Sequence, residues 1–462
     1  MLFLKASISG KGFVIAGVSA FLCAAFLYFI TGQKAEQVFW GVVVCTLIMV
    51  GTVLIAGQYI DTSYDGNGYR KIMVGLLKEG WNPIWQTPGA ANNLLAVVPK
   101  DLGHFGNRSE WFCMDVYPKS AAIAGGVIYD ITNNVESGKY MTLLSMVCIF
   151  CLYHCYLKRY LAKAPAFFVS LCIAMNPVSM TQIRSFYVDA FMGNIILLAV
   201  IFIMMYFEPE NIRGGVKRSL LLFLIDLCIV WTINIKFNAI YFMACICFAM
   251  WVFIVIQDKK KKDFTESKIV FGFFAGGVAA AFLLGWSPYI TNIYRYQEFL
   301  PGIFGDSAKA TGSFTASTAG MNPIQIFWIT IFSKMGDYWD VPDLPLKIPF
   351  SVSQEEWNHY SIYVPQFGTF GMFFSGLFLI AMLLLLFIVI KNRKKFQENR
   401  LKISFVLWVV IFLHCMICPV GLGGLRYVAH FYIVFAYALI LGFYFFNQKK
   451  CRFCCISCVS WL

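Results

Sequence analysis

Two carboxylates, Asp61 and Asp65, stand four positions apart immediately after an apolar run, and a tight turn, Gly66-Asn67-Gly68, follows them. A carboxylate just outside an apolar span is stable because water and headgroups solvate it, so such a pair faces whatever arrives at the interface. Either acid can take a proton from a hydroxyl as a general base. Asp65 is the first choice, because the glycines after it let the backbone turn its side chain toward a ligand; Asp61 is the second. The alternative role for both is to end the span and anchor it. Beyond the turn, Tyr69, Ile72, Met73, Leu76 and Leu77 fall at i, i+3, i+4, i+7 and i+8, with Arg70, Lys71, Lys78 and Glu79 opposite. This spacing predicts a helix over 69–79 lying flat on a membrane surface, closed by Gly80-Trp81-Asn82-Pro83.

Other groups recur at the ends of apolar runs. Asp189 follows Arg184 by five residues and adds a third carboxylate, or a local ion pair with that arginine. Arg426, after Pro419-Val420-Gly421-Leu422-Gly423-Gly424-Leu425, sets a guanidinium beside glycine backbone, which suits bidentate binding of a phosphate; the plainer reading is snorkelling to ordinary headgroups. His430 lies one turn further and reads as a structural histidine. Asp226 stands well inside an apolar run, where an acid costs on the order of 2.5–3.5 kcal/mol unless paired or neutral, and Lys236 is too far along the helix to pair with it. It reads either as a packing residue or as part of an ion pathway. Asp337, Asp340 and Asp343 recur every three residues among Tyr338, Trp339 and Pro342, a mix suited to sugar rings and hydroxyls. Their spacing fits no EF-hand calcium loop, and a solvated loop explains them equally. Cys451, Cys454, Cys455 and Cys458 crowd a terminal tail; mobile free thiols come first there, with zinc and lipidation as alternatives.

The elements that must position these groups are membrane helices. Of 462 residues 59% are hydrophobic and only 13% charged, which excludes an ordinary soluble enzyme. About eleven windows are long enough to cross the hydrocarbon, near 13–31, 38–57, 139–157, 164–181, 190–207, 218–235, 237–256, 269–288, 367–390, 403–420 and 427–446. The net charge of +13 comes largely from short basic loops rather than a nucleic-acid surface: Lys158-Arg159 with Lys163, Lys259 to Lys262, Lys391 to Lys395, and Lys449-Lys450. Counted alternately these clusters share one side, the cytoplasmic one, which places loops 58–138 and 289–366 outside and the tail 447–462 inside. Eleven spans then put the N-terminus outside, against Lys5 and Lys11. The outer loops agree in charge, with eight acids to six bases and seven acids to four bases. Segment 119–131 is apolar but too short to span, and predicts an interfacial or re-entrant helix. The small residues of 311–320 predict a mobile stretch. Sixteen cysteines give no disulfide framework, since only Cys113 lies well inside a large outer loop. The fold class is therefore all-α, a single integral membrane domain over 1–462 with two large extracytoplasmic loops.

Many spans, acids at span ends and abundant aromatics point to a site at the outer interface for a substrate part lipid and part polar. The order of parts resembles the GT-C superfamily of polytopic glycosyltransferases, on the strength of Asp61 and Asp65 followed by helix 69–79, the stretch Trp111 to Lys119 with Asp115-Val116-Tyr117-Pro118-Lys119, and Asn176-Pro177-Val178 through Gln182 to Ser185-Phe186-Tyr187-Val188-Asp189. One departure is that the acidic loop follows the second apolar window here, where that superfamily places it after the first. The resemblance implies inverting transfer of a sugar from a polyprenyl-phosphate carrier to a glycan, lipid or protein acceptor at the outer face of a bacterial plasma membrane. It implies Asp65 or Asp61 as base, with Asp189 orienting the acceptor or assisting. Arg426 would then hold the carrier phosphate, and Tyr69, Lys119, Trp339 and Asp340 would line the substrate. The donor is a substrate, so no resident cofactor is expected, and dependence on a divalent metal is left open. The alternative from another class is a transporter or flippase of a lipid-linked glycan, for which Asp226 would matter most.

Overall fold

The computed structural model describes residues 2–32, 34–91, 108–213, 216–301, 320–336, 345–359, 370–417 and 424–459; of residues 446–459 it describes the backbone alone. Among them the chain is all-helical, with isolated bridges in place of strands, one of them between Ser333 and Leu346. Its principal helices are α1 (Gly12–Thr31), α2 (Ala35–Ala56), α3 (Lys71–Lys78), α4 (Arg108–Val116), α5 (Ser120–Thr132), α6 (Met141–Leu157), α7 (Lys163–Ala174), α8 (Pro177–Gln182), α9 (Asp189–Tyr206), α10 (Arg218–Ile233), α11 (Asn238–Lys261), α12 (Thr265–Leu284), α13 (Trp286–Tyr296), α14 (Pro323–Phe332), α15 (Phe374–Lys391), α16 (Asn399–Ile417) and α17 (Tyr432–Val459). Among the described residues eight stretches are long and apolar enough to cross a membrane, and shorter apolar helices accompany them. The protein is thus a multi-pass membrane protein, and each of the eleven expected windows holds a helix.

Helices apolar all round have no solvent face to specify their packing, so burial separates the central ones from those that meet lipid. α9 is the centre: most of it is buried, and it packs on α6, on α10 and on the turn 424–431 that precedes α17. α2 stands at the other extreme, with Phe39, Trp40, Leu47 and Leu54 turned outward to lipid. Window 164–181 is broken. α7 ends at Ala174, Asn176 caps the next helix by accepting from the Ser179 amide at 3.0 Å, and Pro177 opens α8. A proline amide cannot donate back into the preceding helix, so the chain turns there.

The N-terminus falls at the end of the bundle that carries loop 58–138. The Asp130 carboxylate of α5 accepts from the Gly10 and Gly12 amides at 2.9 and 2.8 Å, meeting the positive end of α1, and Asn82 and Trp85 donate to the Leu2 carbonyl. The lysines of this segment therefore sit at the loop-bearing end, despite their charge.

The helix expected to lie flat on a membrane surface forms at Lys71–Lys78 after a wide π-type turn, Gly66–Arg70, but it has no solvated polar face at its start. Arg70 and Lys71 are buried, because α4 packs on the turn that carries Arg70 and α5 with the turn 135–139 closes over the helix that Lys71 opens. Burial of an ammonium requires a partner, and Glu136 supplies it: its carboxylate meets Lys71 at 2.7 Å, also pairs with Lys139, and accepts from the Asp61 amide. Removing one member of such a network strands the others, whereas replacing the whole with apolar groups is close to neutral. Glu136→Ala should therefore cost about 3–5 kcal/mol, and combining it with Lys71→Met and Lys139→Met should recover most of that loss, measured by thermal unfolding in detergent.

Candidate functional site

Four segments distant in sequence bring charge together at the loop-bearing end. The turn 61–70 follows α2, residues 185–189 open α9, Lys236 lies between α10 and α11, and residues 424–431 lead into α17. The last of these rests on α9 at Gly193, where an added Cβ would lie 2.8 Å from the Ala429 Cβ and 3.0 Å from the His430 amide nitrogen. Glycine at that point allows the backbone contact that sets Arg426 beside the start of α9.

Arg426 is the hub. Its guanidinium stands 3.7 Å from the Asp65 carboxylate, donates to the Tyr427 hydroxyl at 2.7 Å, and lies over the rings of Tyr187 and Tyr427 at 5.1 and 4.7 Å. The Asp65 separation is long for a hydrogen bond, and the buried Nε makes none, so donors remain for a further anion. Arg70 lies over Tyr69 and Tyr117 at 5.1 and 5.9 Å and feels the charges of Asp189 and Asp65. Lys236 pairs with Asp189 and stands 3.7 Å from the Tyr427 ring centre. Burial lowers its ammonium from 10.5 to about 8, although Asp189 opposes the shift. Three cations thus face two carboxylates in a basket walled by tyrosines.

Accessibility separates the three expected acids. The Asp65 side chain is 29% exposed, whereas that of Asp189 is 2% exposed and held by Lys236 and by the Gln182 amide at 3.4 Å. Asp61 is buried outside the basket: one carboxylate oxygen accepts from the Ser63 amide and the other from the Phe186 amide, both at 2.8 Å. Burial pushes its carboxyl above the usual range despite those two amides. Gly66 makes room for it, since a Cβ there would lie 2.0 Å from an Asp61 oxygen. The effect of Asp61 is positional, tying the turn that bears Asp65 to the strand of chain that bears Tyr187.

Of the other expected residues, Tyr69 joins the basket through Arg70 and Tyr117, its ring 5.6 Å from that of Tyr117. Lys119 does not. It is buried, donates to the carbonyls of Asp115 and Tyr117 at 2.7 and 2.9 Å, and is lowered by burial to about 7. There it fastens the chain that carries Tyr117. Asp115 in turn accepts from Arg295 and from the Tyr296 hydroxyl, joining α4 to α13. Trp339 and Asp340, with Asp337 and Asp343, lie outside the described residues, as do most of 311–320 and the side chains of the cysteine-rich tail. Asp189 pairs with Lys236 rather than with Arg184 in sequence.

Sequence reasoning missed Arg70, Lys236 and the tyrosines 117, 187 and 427 as site residues. Lys236 carried a signal, a lone cation between two apolar helices at the same end as Asp189; Arg70 carried none, since helical spacing placed it on the solvated face.

No protein-family model and no curated protein matches the chain. Among solved structures the chain is similar to the crystal structure of ArnT from Cupriavidus metallidurans bound to undecaprenyl phosphate, at 14% identity over 89% of this chain and 78% of that one, with a TM-score of 0.35. It is similar also to the same protein in the apo state, at 12% identity over 88% and 77%, with a TM-score of 0.34.

Proposed function

We propose that the protein is a glycosyltransferase that moves a sugar from a polyprenyl-phosphate carrier to a glycan, lipid or protein acceptor at the extracytoplasmic face of a bacterial plasma membrane, with Asp65 as general base. The observation that carries this reading is the partly exposed Asp65 carboxylate 3.7 Å from a buried guanidinium that keeps unused donors. Asp65 takes the proton of the acceptor hydroxyl, whose oxygen attacks the anomeric carbon. The bond from that carbon to the phosphate oxygen breaks, and its electron pair leaves with the carrier phosphate. Arg426, Arg70 and Lys236 stabilise the charge that develops on that phosphate. Displacement in one step, from the face opposite the leaving group, inverts the anomeric configuration. Asp189 keeps Lys236 in place, and the tyrosine walls give the sugar apolar faces and hydroxyls to bind.

The test is sugar transfer from labelled polyprenyl-phosphate donors in reconstituted vesicles. Asp65→Asn should lower turnover by about 10²–10⁴-fold with donor affinity retained, since the change removes an anion beside Arg426. Full activity in that variant, or no transfer by the wild type with any such donor, overturns the reading. Asp61→Asn should instead lower thermal stability, because its carboxylate holds the turn together.

Lys236 gives the pH dependence. Its ammonium is present below about pH 8 and lost above it, so affinity for an anionic donor should fall as pH rises through that value. Lys236→Arg should bind donor evenly up to about pH 10, because a guanidinium stays charged. Isothermal titration across that range with a non-transferable donor analogue measures both.

A further inference from the structure

Beneath the basket, three potential metal ligands from two elements meet inside the bundle. His414 and Cys415 are consecutive on α16, and His430 lies on the turn 424–431, where Val428 departs from helical geometry. All three are buried, at 2%, 0% and 0% exposure. The two Nε2 atoms face each other at 2.8 Å, the Cys415 Sγ stands 3.4 Å from the His430 Nε2, and all three ligand atoms lie within 4.8 Å of one another. The Phe242 ring covers the cluster, 5.0 Å from His414 and 4.7 Å from His430.

We propose that His414, Cys415 and His430 form a binding site for a single monovalent copper ion, which rivets the Arg426-bearing turn to α16. The coordinating group contains two neutral imidazoles, one thiol and, among the described residues, no Asp or Glu. Copper(I) binding releases the thiol proton, and the resulting ion and thiolate sum to zero charge, the condition that burial in low dielectric favours. A zinc ion with the same ligands leaves one positive charge uncompensated in an apolar interior. Structural zinc also takes four ligands, whereas three converge among the described residues, where Phe242 covers the group. Thiolate and imidazole are donors that suit copper(I). Three-coordinate geometry with metal–nitrogen bonds of about 2.0–2.1 Å sets two imidazole nitrogens roughly 3.5 Å apart, so binding asks the rings to open by about 0.7 Å from their 2.8 Å separation; the Cys415 Sγ already stands 3.4 Å from the His430 Nε2.

This inference is independent of the transfer reading, and its test needs no sugar. The full chain carrying Cys451→Ser, Cys454→Ser, Cys455→Ser and Cys458→Ser, which removes competing tail thiols, is loaded anaerobically with copper(I) in detergent. A colorimetric copper(I) chelator then competes for the ion, and retained metal is counted by mass spectrometry. One copper per chain should survive, X-ray absorption should show one sulfur and two nitrogens around it, and retention should fall to background in His414→Gln and in Cys415→Ser. Loss of all copper to the chelator by the folded parent, a shell of sulfur alone, unchanged retention in folded variants, or preferential retention of zinc from a mixture of the two metals each overturns the proposal. Should the variants fail to fold, the absorption spectrum of the parent decides alone.

Discussion

A charge withdrawn from water must find a partner, and at one end of this bundle that requirement organises the chain. Lys71 and Lys139 converge on Glu136, Lys236 on Asp189, and Arg295 on Asp115. Apart from the local Lys139–Glu136 contact, each pair joins segments distant in the sequence: α3 to the turn before α6, the α10–α11 connection to α9, α13 to α4. Buried pairs of this kind contribute little net stability against an apolar alternative, but an unpaired member is costly, so they select one arrangement over its competitors. The arrangement selected leaves Arg426 with unused donors and Asp65 with open access. The uncommitted chemistry stands where the structural charges are all committed.

Glycine fixes the distances within that arrangement. Gly193 brings the 424–431 turn onto α9, and Gly66 brings the Asp61 carboxylate under the turn that carries Asp65. Asp61 then reaches Phe186, adjacent to Tyr187, whose ring lies under Arg426. Asp65 and Arg426 are thus positioned by one continuous run of contacts from residue 61 to residue 187 and on to residue 426. Neither is held by its own helix alone.

The helices were legible in the sequence because length and hydropathy are local quantities, and each expected window holds one. The break at Asn176-Pro177 is legible in its residues, a capping side chain followed by a proline, although hydropathy alone runs through it. Partnerships were less legible. Arg70 and Lys71 occupy the side of a helix that spacing alone assigns to solvent, and only the packing of α4 on the first and of α5 and the 135–139 turn on the second turns that side inward. In sequence Asp61 is set apart from Asp65, four residues after it, only by the glycines that directly follow the latter. Two backbone amides, one of them at residue 186, bury the first and leave the second accessible. The acid nearest Lys236 in sequence is Asp226, ten residues away, whereas its partner is Asp189 at the start of another helix.

Asp226 marks the contrast with a transport mechanism. One of its carboxylate oxygens is buried without a hydrogen bond, and the position of a Cβ at Gly277 on α12 would lie 2.9 Å from that same oxygen. A carboxylate serving a transport path faces a water-filled cavity or a broken helix. This one faces the backbone of a neighbouring unbroken helix, closed on it through a glycine, which is the geometry of tight helix packing in a membrane. Asp65, which has both access and a cationic neighbour, stands at a helix end instead. Asp226 thus has the surroundings of a packing residue and Asp65 those of a group open to a ligand.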